Sequence, residues 1–168
     1  MENVIISYFD VESEAFQALA DLKKLPKVNG AITLSEVSLM KKENGQVVHK
    51  DGFDTGSITG DDKAIGGLIG GLIGLLGGPI GLFVGAGIGA AIGAIQDAID
   101  KKEEESILAE ITTKMQEGDV AILAVVKEET ESTYDDTMSK YQVTTARYDA
   151  EAIRKEVEAA KEAAKAQK

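Results

Sequence analysis

Residues 64–96 read AIGGLIGGLIGLLGGPIGLFVGAGIGAAIGAIQ, a stretch without one charged side chain that holds twelve of the chain's 18 glycines. The glycines recur every four residues in two series: Gly66, Gly70, Gly74 and Gly78, then Gly77, Gly81, Gly85, Gly89 and Gly93. Four residues is close to one helical turn, so each series predicts a glycine stripe along a helix. An interior glycine costs a helix about 1 kcal/mol relative to alanine, and close packing of another helix offsets that cost. We therefore expect these nine glycines to serve helix packing and oligomerisation.

The stretch is interrupted at Gly77-Gly78-Pro79. Paired glycines favour a turn, and proline is favoured as the first residue of a helix. The sequence thus predicts a helical hairpin, with one helix over residues 62–76 and a second from Pro79 toward Gly118. Each apolar arm would span roughly 22–27 Å, against a hydrocarbon core near 30 Å.

Three interpretations of this hairpin stand: insertion in a membrane, burial between subunits, or an intramolecular core. Both predicted helices are apolar on every face, and a helix of that kind needs burial all round. A small α/β domain is not expected to surround two of them, so the intramolecular interpretation is the least favoured. The membrane and oligomer interpretations are compatible with each other.

Composition limits the partners. The chain carries 29 acidic and 18 basic residues, and its net charge of −11 argues against nucleic acid, which requires a basic surface. It has no cysteine, which excludes disulfides and thiolate chemistry. The N-terminal residues lack the basic region of a secretory signal. We expect the cytoplasmic side, with insertion in or attachment to the inner membrane as an open alternative.

Around the glycine stretch, strand and helix patterns alternate. Strands are predicted at residues 4–9, 32–39, 46–50 and 120–126, with a bulge near Ser35–Glu36 and a turn at Asn44-Gly45. A helix is expected from Ser13 until Pro26 ends it. The order βαββαβ predicts a ferredoxin-like α+β sandwich with the glycine-zipper hairpin inserted before its second helix.

A helix–strand–helix extension is expected to follow this sandwich, with helix at 132–140, strand at 142–148 and a charged, exposed or partner-facing helix at 150–168. The domain prediction is therefore residues 1–60 and 106–168 for the α+β domain with its extension. Residues 61–105 form the inserted hairpin.

The chain resembles a family of small uncharacterised bacterial proteins commonly labelled predicted membrane proteins. The resemblance rests on the strand at residues 4–10, on the GGLIGGLIG…GGPIG…GAGIGA pattern at 64–94, and on AILAVV at 121–126. It implies this fold and a membrane link, and it implies no activity and no catalytic residue.

Chemistry-bearing motifs are few. Residues 85–90 fit the GxGxxA dinucleotide fingerprint, but the spacing of four begins well upstream and explains the same glycines. The single histidine, His49, is expected to face solvent on a strand. Asp51, Asp54, Asp61 and Asp62 share a predicted loop, where solvated carboxylates are favoured over a cation site. We expect no cofactor, no metal and no enzymatic activity.

The functional prediction is a non-enzymatic, self-assembling protein whose glycine-zipper hairpins pack together in a membrane or at the centre of a homo-oligomer. Its partners are then other copies of itself, with the lipid bilayer as an open second partner. Two alternatives remain: a soluble shell or scaffold that encloses an unidentified cargo, and a small-molecule or nucleotide binder that uses the sheet surface. Substitutions such as Gly85→Leu and Gly89→Leu are expected to break assembly and leave the α+β domain folded.

Overall fold

A computed structural model of the chain describes residues 2–28, 31–54, 67–77 and 107–166. The strands are β1 (Glu2–Phe9), β2 (Ile32–Glu43), β3 (Gln46–Asp54), β4 (Val120–Glu128) and β5 (Val143–Asp149). The helices are α1 (Glu12–Val28), α2 (Gly67–Gly77), α3 (Ile107–Lys114), α4 (Ser132–Met138) and α5 (Ala150–Ala166). The protein is therefore α+β, as the sequence predicts.

The five strands form one antiparallel sheet in the order β3-β2-β4-β1-β5. The central strand β4 is buried from Val120 to Val126, in keeping with its uninterrupted apolar sequence. Strand β5, expected in an extension, instead pairs with β1 from Asn3 to Phe9. An apolar strand such as β1 is protected when both of its edges are paired, which β4 and β5 achieve together.

Local irregularities in β2 and β3 follow from particular residues. The predicted bulge is confirmed between Leu34 and Glu36, and the Asn44-Gly45 turn is confirmed by positive φ angles of 55° and 76°. Strand β3 continues to Asp54, where the sequence predicted a loop from residue 51. Gly52 makes this extension feasible, because a Cβ atom there would lie 2.3 Å from the carbonyl oxygen of Val37.

The sheet is covered by helices on both faces, because alternate side chains of each strand point to opposite sides. One core lies beneath α1 and α4 and includes Ile5, Leu19, Leu22, Ile122 and Tyr134. The other lies beneath α2, α3 and α5 and includes Val4, Leu72, Ile111, Leu123 and Ile153. The described part of the glycine stretch thus lies on the domain's own sheet.

Two helix predictions need correction. Helix α1 runs to Val28, so Pro26 lies in its last turn and does not end it at the predicted place. The apolar positions Leu22 and Leu25 continue to pack on the sheet, and this packing outweighs the backbone hydrogen bond that proline removes. The C-terminal helix was predicted to be exposed or partner-facing, but α5 buries Ile153 and Val157 against the sheet.

Helix α4 is short and is held to the sheet by Arg147 of β5. The guanidinium lies 3.0 Å from the Glu128 carboxylate and 2.9 Å from that of Asp135, and it stacks 5.8 Å from the ring centre of Tyr134. The Glu128 side chain is only 3% exposed. A carboxylate this deeply buried depends on its cation, so Arg147 is a structural residue.

Candidate functional site

Helix α2 has large apolar residues on one side and glycines on the other. Its buried side chains are Leu68, Ile69, Leu72 and Leu75, with exposures of 7%, 2%, 0% and 3%. At about 100° per residue these four positions fall within one arc of about 120°. Gly70, Gly71 and Gly74 fall on the opposite arc and are partly exposed. We call these three residues the glycine face.

The space beside Gly74 is open. A Cβ atom added at this position would meet no heavy atom within 4 Å in the described structure. At Gly52, by contrast, a Cβ would collide with the backbone of β2. Packing therefore requires glycine at position 52, whereas the described residues give no packing reason for glycine at position 74.

The structure reaches part of the predicted site. Gly70, Gly74 and Gly77 lie in α2, whereas Gly66, Gly78, Gly81, Gly85, Gly89 and Gly93 lie outside the described residues. Gly70 and Gly74 share one helix side, as their spacing predicts. One side of α2, with Leu68, Leu72 and Leu75, packs on the sheet. The second helix of the predicted hairpin lies outside the described residues, so the expectation that the domain does not surround two apolar helices stays a prediction. A role of the nine glycines in assembly stays a prediction.

A buried glutamate meets the start of α2. Glu36 lies at the bulge of β2, is 5% exposed, and accepts a hydrogen bond of 3.0 Å from the backbone N–H of Ile69. The first N–H groups of a helix lack intrahelical partners and favour negative charge. The Glu36 carboxylate also acts on Arg154 of α5. The pKa of Arg154 is raised mainly by Glu2, with smaller contributions from Glu151 and Glu36. The bulge of β2 thus places the Glu36 carboxylate at the start of α2.

A second buried glutamate meets the start of α3 in the same manner. Glu156 of α5 is 7% exposed and accepts a hydrogen bond of 2.9 Å from the N–H of Ile107, the first residue of α3. Neither glutamate is predicted from the sequence as a binding residue. For Glu156 a signal existed, because it lies three residues after Ile153 and next to Val157, on the side of α5 that is apolar.

A polar cluster lies where α3 covers β1 and β5. The hydroxyl groups of Tyr8 and Tyr148 are buried without a hydrogen-bond partner in the described structure. Burial and the nearby Glu110 carboxylate raise the pKa of Tyr8 to about 12 and also raise that of Tyr148. Lys114 lies 2.6 Å from Glu110, and this hydrogen bond lowers the pKa of the Glu110 carboxyl. Both phenols therefore stay protonated at neutral pH.

The remaining chemistry-bearing residues form local contacts. His49 is partly buried, and its Nδ1 lies 2.6 Å from the hydroxyl of Ser38, which is 1% exposed and out of reach of a substrate. Asp51 accepts a hydrogen bond of 2.8 Å from the N–H of Gly52 and lies 4.0 Å from Lys23. Within the described ranges, no three His, Cys, Asp or Glu side chains are grouped to hold a metal ion.

The described helices do not reach across a bilayer. Among residues 2–28, 31–54, 67–77 and 107–166, no helix combines the length and the apolar character that a membrane span requires.

Comparison with known proteins places most of the chain in one family. The sequence model of a family described as "Protein of unknown function (DUF1269)" matches residues 64–165, which is more than half of the chain. The matched region begins in the glycine stretch and includes α2, the central strand β4 and the starts of α2 and α3. Of the two glutamates that bind these helix starts, Glu156 lies within the matched region and Glu36 lies before it. No curated protein and no solved structure gives a significant match.

Proposed function

The chain belongs to the DUF1269 family of proteins of unknown function, and we propose that it is a non-enzymatic self-assembly protein whose copies pack through the glycine face of α2. The observation that carries this proposal is that, among the described residues, no heavy atom lies within 4 Å of a Cβ atom added at Gly74. A glycine inside a helix costs about 1 kcal/mol relative to alanine, and no contact with the described part of the domain offsets that cost. A surface that another helix approaches closely provides the missing reason.

The glycine face suits a second copy of the same chain. Without side chains, it lets the backbone of a neighbouring helix come nearer than leucine would permit. It lies within an uncharged stretch, so two copies can meet there without burying a charge. A twofold contact between identical surfaces is the commonest form of homo-oligomer. The leucines of α2 pack on the sheet, and the glycine face lies on the other side of the helix.

We also propose a ferredoxin-like origin for the sheet. Without the outer strand β3, the order β2-β4-β1-β5 has the two central strands and the two split βαβ units of that fold. In this assignment β4 is the third strand, α4 the second helix and β5 the fourth strand. The glycine insertion then lies before the third strand, earlier in the fold than the sequence analysis proposed. The extension is reduced to α5.

Single-cysteine crosslinking tests the assembly, because the chain contains no cysteine. We would prepare Gly74→Cys and, as a matched control, Gln17→Cys, an exposed position on α1 at the other face of the sheet. A short bismaleimide should give a covalent dimer for Gly74→Cys and none for Gln17→Cys at micromolar concentration. Equal yields for the two variants, or no dimer for either, would reject the glycine face as the contact.

Fractionation of cells that express Gly74→Cys distinguishes assembly in a membrane from assembly in solution. Dimers of Gly74→Cys in the detergent-released membrane fraction place the contact in a bilayer, and dimers in the aqueous fraction place it in a particle such as a shell. Either location supports self-assembly. Ligand-dependent thermal stabilisation of an uncrosslinked monomer would instead support the alternative of a small-molecule binder and refute the proposal.

A further inference from the structure

The two helices adjoining residues 78–106 are bound to the domain by one and the same device. We propose that Glu36 and Glu156 are two separate latches: Glu36 holds the start of α2 on the sheet, and Glu156 holds the start of α3. Each is a positioning residue that acts through the helix it binds. The inference deepens the proposed function, because a docked α2 is what presents the glycine face.

The chemistry at the two positions is the same. A carboxylate that is less than a tenth exposed accepts a backbone N–H from the first turn of a helix, at 3.0 Å for Ile69 and 2.9 Å for Ile107. These N–H groups have no partner within their own helix. A buried carboxylate is costly unless hydrogen-bond donors surround it. Glutamate and helix start therefore stabilise each other at both positions.

Helix α2 has a particular need for a latch. It has 11 residues, and five of them are glycines: Gly67, Gly70, Gly71, Gly74 and Gly77. Isolated helices shorter than about 12–15 residues are marginal in water, and glycine weakens them further. Helix α2 thus depends on docking through its leucines and on the charge-assisted bond at its start. When that bond is lost, the helix and its glycine face are lost together.

Hydrogen exchange read by mass spectrometry tests the latches in the full chain. A hydrogen bond to a charged group is worth about 1.5–3 kcal/mol, which corresponds to roughly a 10- to 100-fold change in an opening equilibrium. We expect Glu36→Ala to reduce the protection of α2 amides by that factor and to leave α3 and β4 unchanged. We expect Glu156→Ala to do the same to α3 alone. Each variant is the matched control of the other. Glu129→Gln removes a charge from an exposed side chain and controls for the change in net charge.

Isosteric variants keep the test decisive if an alanine variant does not fold. Glu36→Gln and Glu156→Gln retain an acceptor oxygen and lose only the charge, so we expect the same pattern with a smaller loss. Unchanged protection of α2 in Glu36→Ala, or an equal loss in α2, α3 and β4, would overturn the inference.

Crosslinking separates the failure of the latch from the failure of the assembly. In the Gly74→Cys background, Glu36→Ala should lower the dimer yield because it releases α2. If Gly74→Cys forms no dimer at all, the proposed function fails, while selective loss of α2 protection in Glu36→Ala still supports the latch. If dimers form and α2 protection does not respond to Glu36→Ala, the latch fails and the assembly stands.

Discussion

The same substitution, glycine to alanine, is expected to act in opposite directions at two positions of this chain. At Gly74, inside helix α2, the new methyl group would meet no heavy atom of the described residues within 4 Å. At Gly52 it would lie 2.3 Å from the carbonyl oxygen of Val37 and 3.1 Å from the Cα of Ser38. Since both neighbours are backbone atoms, neither can rotate away, and β3 would have to move from β2.

The structure sets the size of both effects. Alanine at position 74 gains the helix propensity of about 1 kcal/mol that glycine lacks, and the melting temperature of a chain of this length rises by roughly 3 °C. Alanine at position 52 overpacks a rigid site, which costs about 2 kcal/mol and lowers the melting temperature by roughly 6 °C. The glycine at position 74 is therefore expected to weaken the isolated domain.

The assay is urea unfolding at submicromolar protein concentration, where association does not contribute to the measured stability. Gly74→Ala should shift the midpoint upward and Gly52→Ala downward, with the slope of the transition unchanged in both. A destabilised Gly74→Ala would show that a neighbour fills the space beside this residue. It would refute the argument that position 74 is glycine for the sake of a partner.

Further predictions concern the tyrosines, the arginine beneath α4 and the glycine face. All four tyrosines have raised pKa values. The pKa reaches about 12 for Tyr8 and for Tyr141, and for Tyr141 the causes are burial and then the hydrogen bond to Asp21. Since the unfolded chain releases these protons near pH 10, folding stability should be complete below pH 10 and fall from there toward pH 12; a native absorbance titration showing phenolate at pH 10 would contradict this. Arg147→Ala should lower stability by about 3 kcal/mol by leaving the Glu128 carboxylate buried without its cation, and adding Glu128→Ala should restore part of the loss; no rescue in thermal unfolding would count against the pairing. Gly74→Leu should leave the domain folded by circular dichroism and abolish the association measured by light scattering, and unimpaired association would reject the glycine face.

Much of the sheet could be predicted because its signals are local. The apolar run at 120–126, the Asn44-Gly45 turn and the face shift near Glu36 each follow from a few adjacent residues, and each is confirmed. The pairing of β5 with β1 could not be predicted in this way. The alternation at residues 142–148 identifies a strand, but which edge it joins depends on contacts far away along the chain.

The sequence predicts only part of the arrangement of α2. Its spacing predicted a stripe, and the structure places Gly70 and Gly74 on one side of α2. The sequence predicts a helix that is apolar on every face, and it does not show that the leucines pack on the domain's own sheet, because the strands they cover are distant in the chain. Glu36 was equally hidden, since its role depends on a helix start more than thirty residues later in the chain.

We propose above that copies of this chain associate through the glycine face of α2. The most direct measurement is light scattering coupled to size-exclusion chromatography over a concentration series, for the wild type and for the double variant Gly70→Leu/Gly74→Leu, in buffer and in detergent extracts. Association through the glycine face should give a discrete oligomer for the wild type and a folded monomer for the variant. A wild-type chain that is monomeric under every condition, or a variant that assembles equally well, would contradict it.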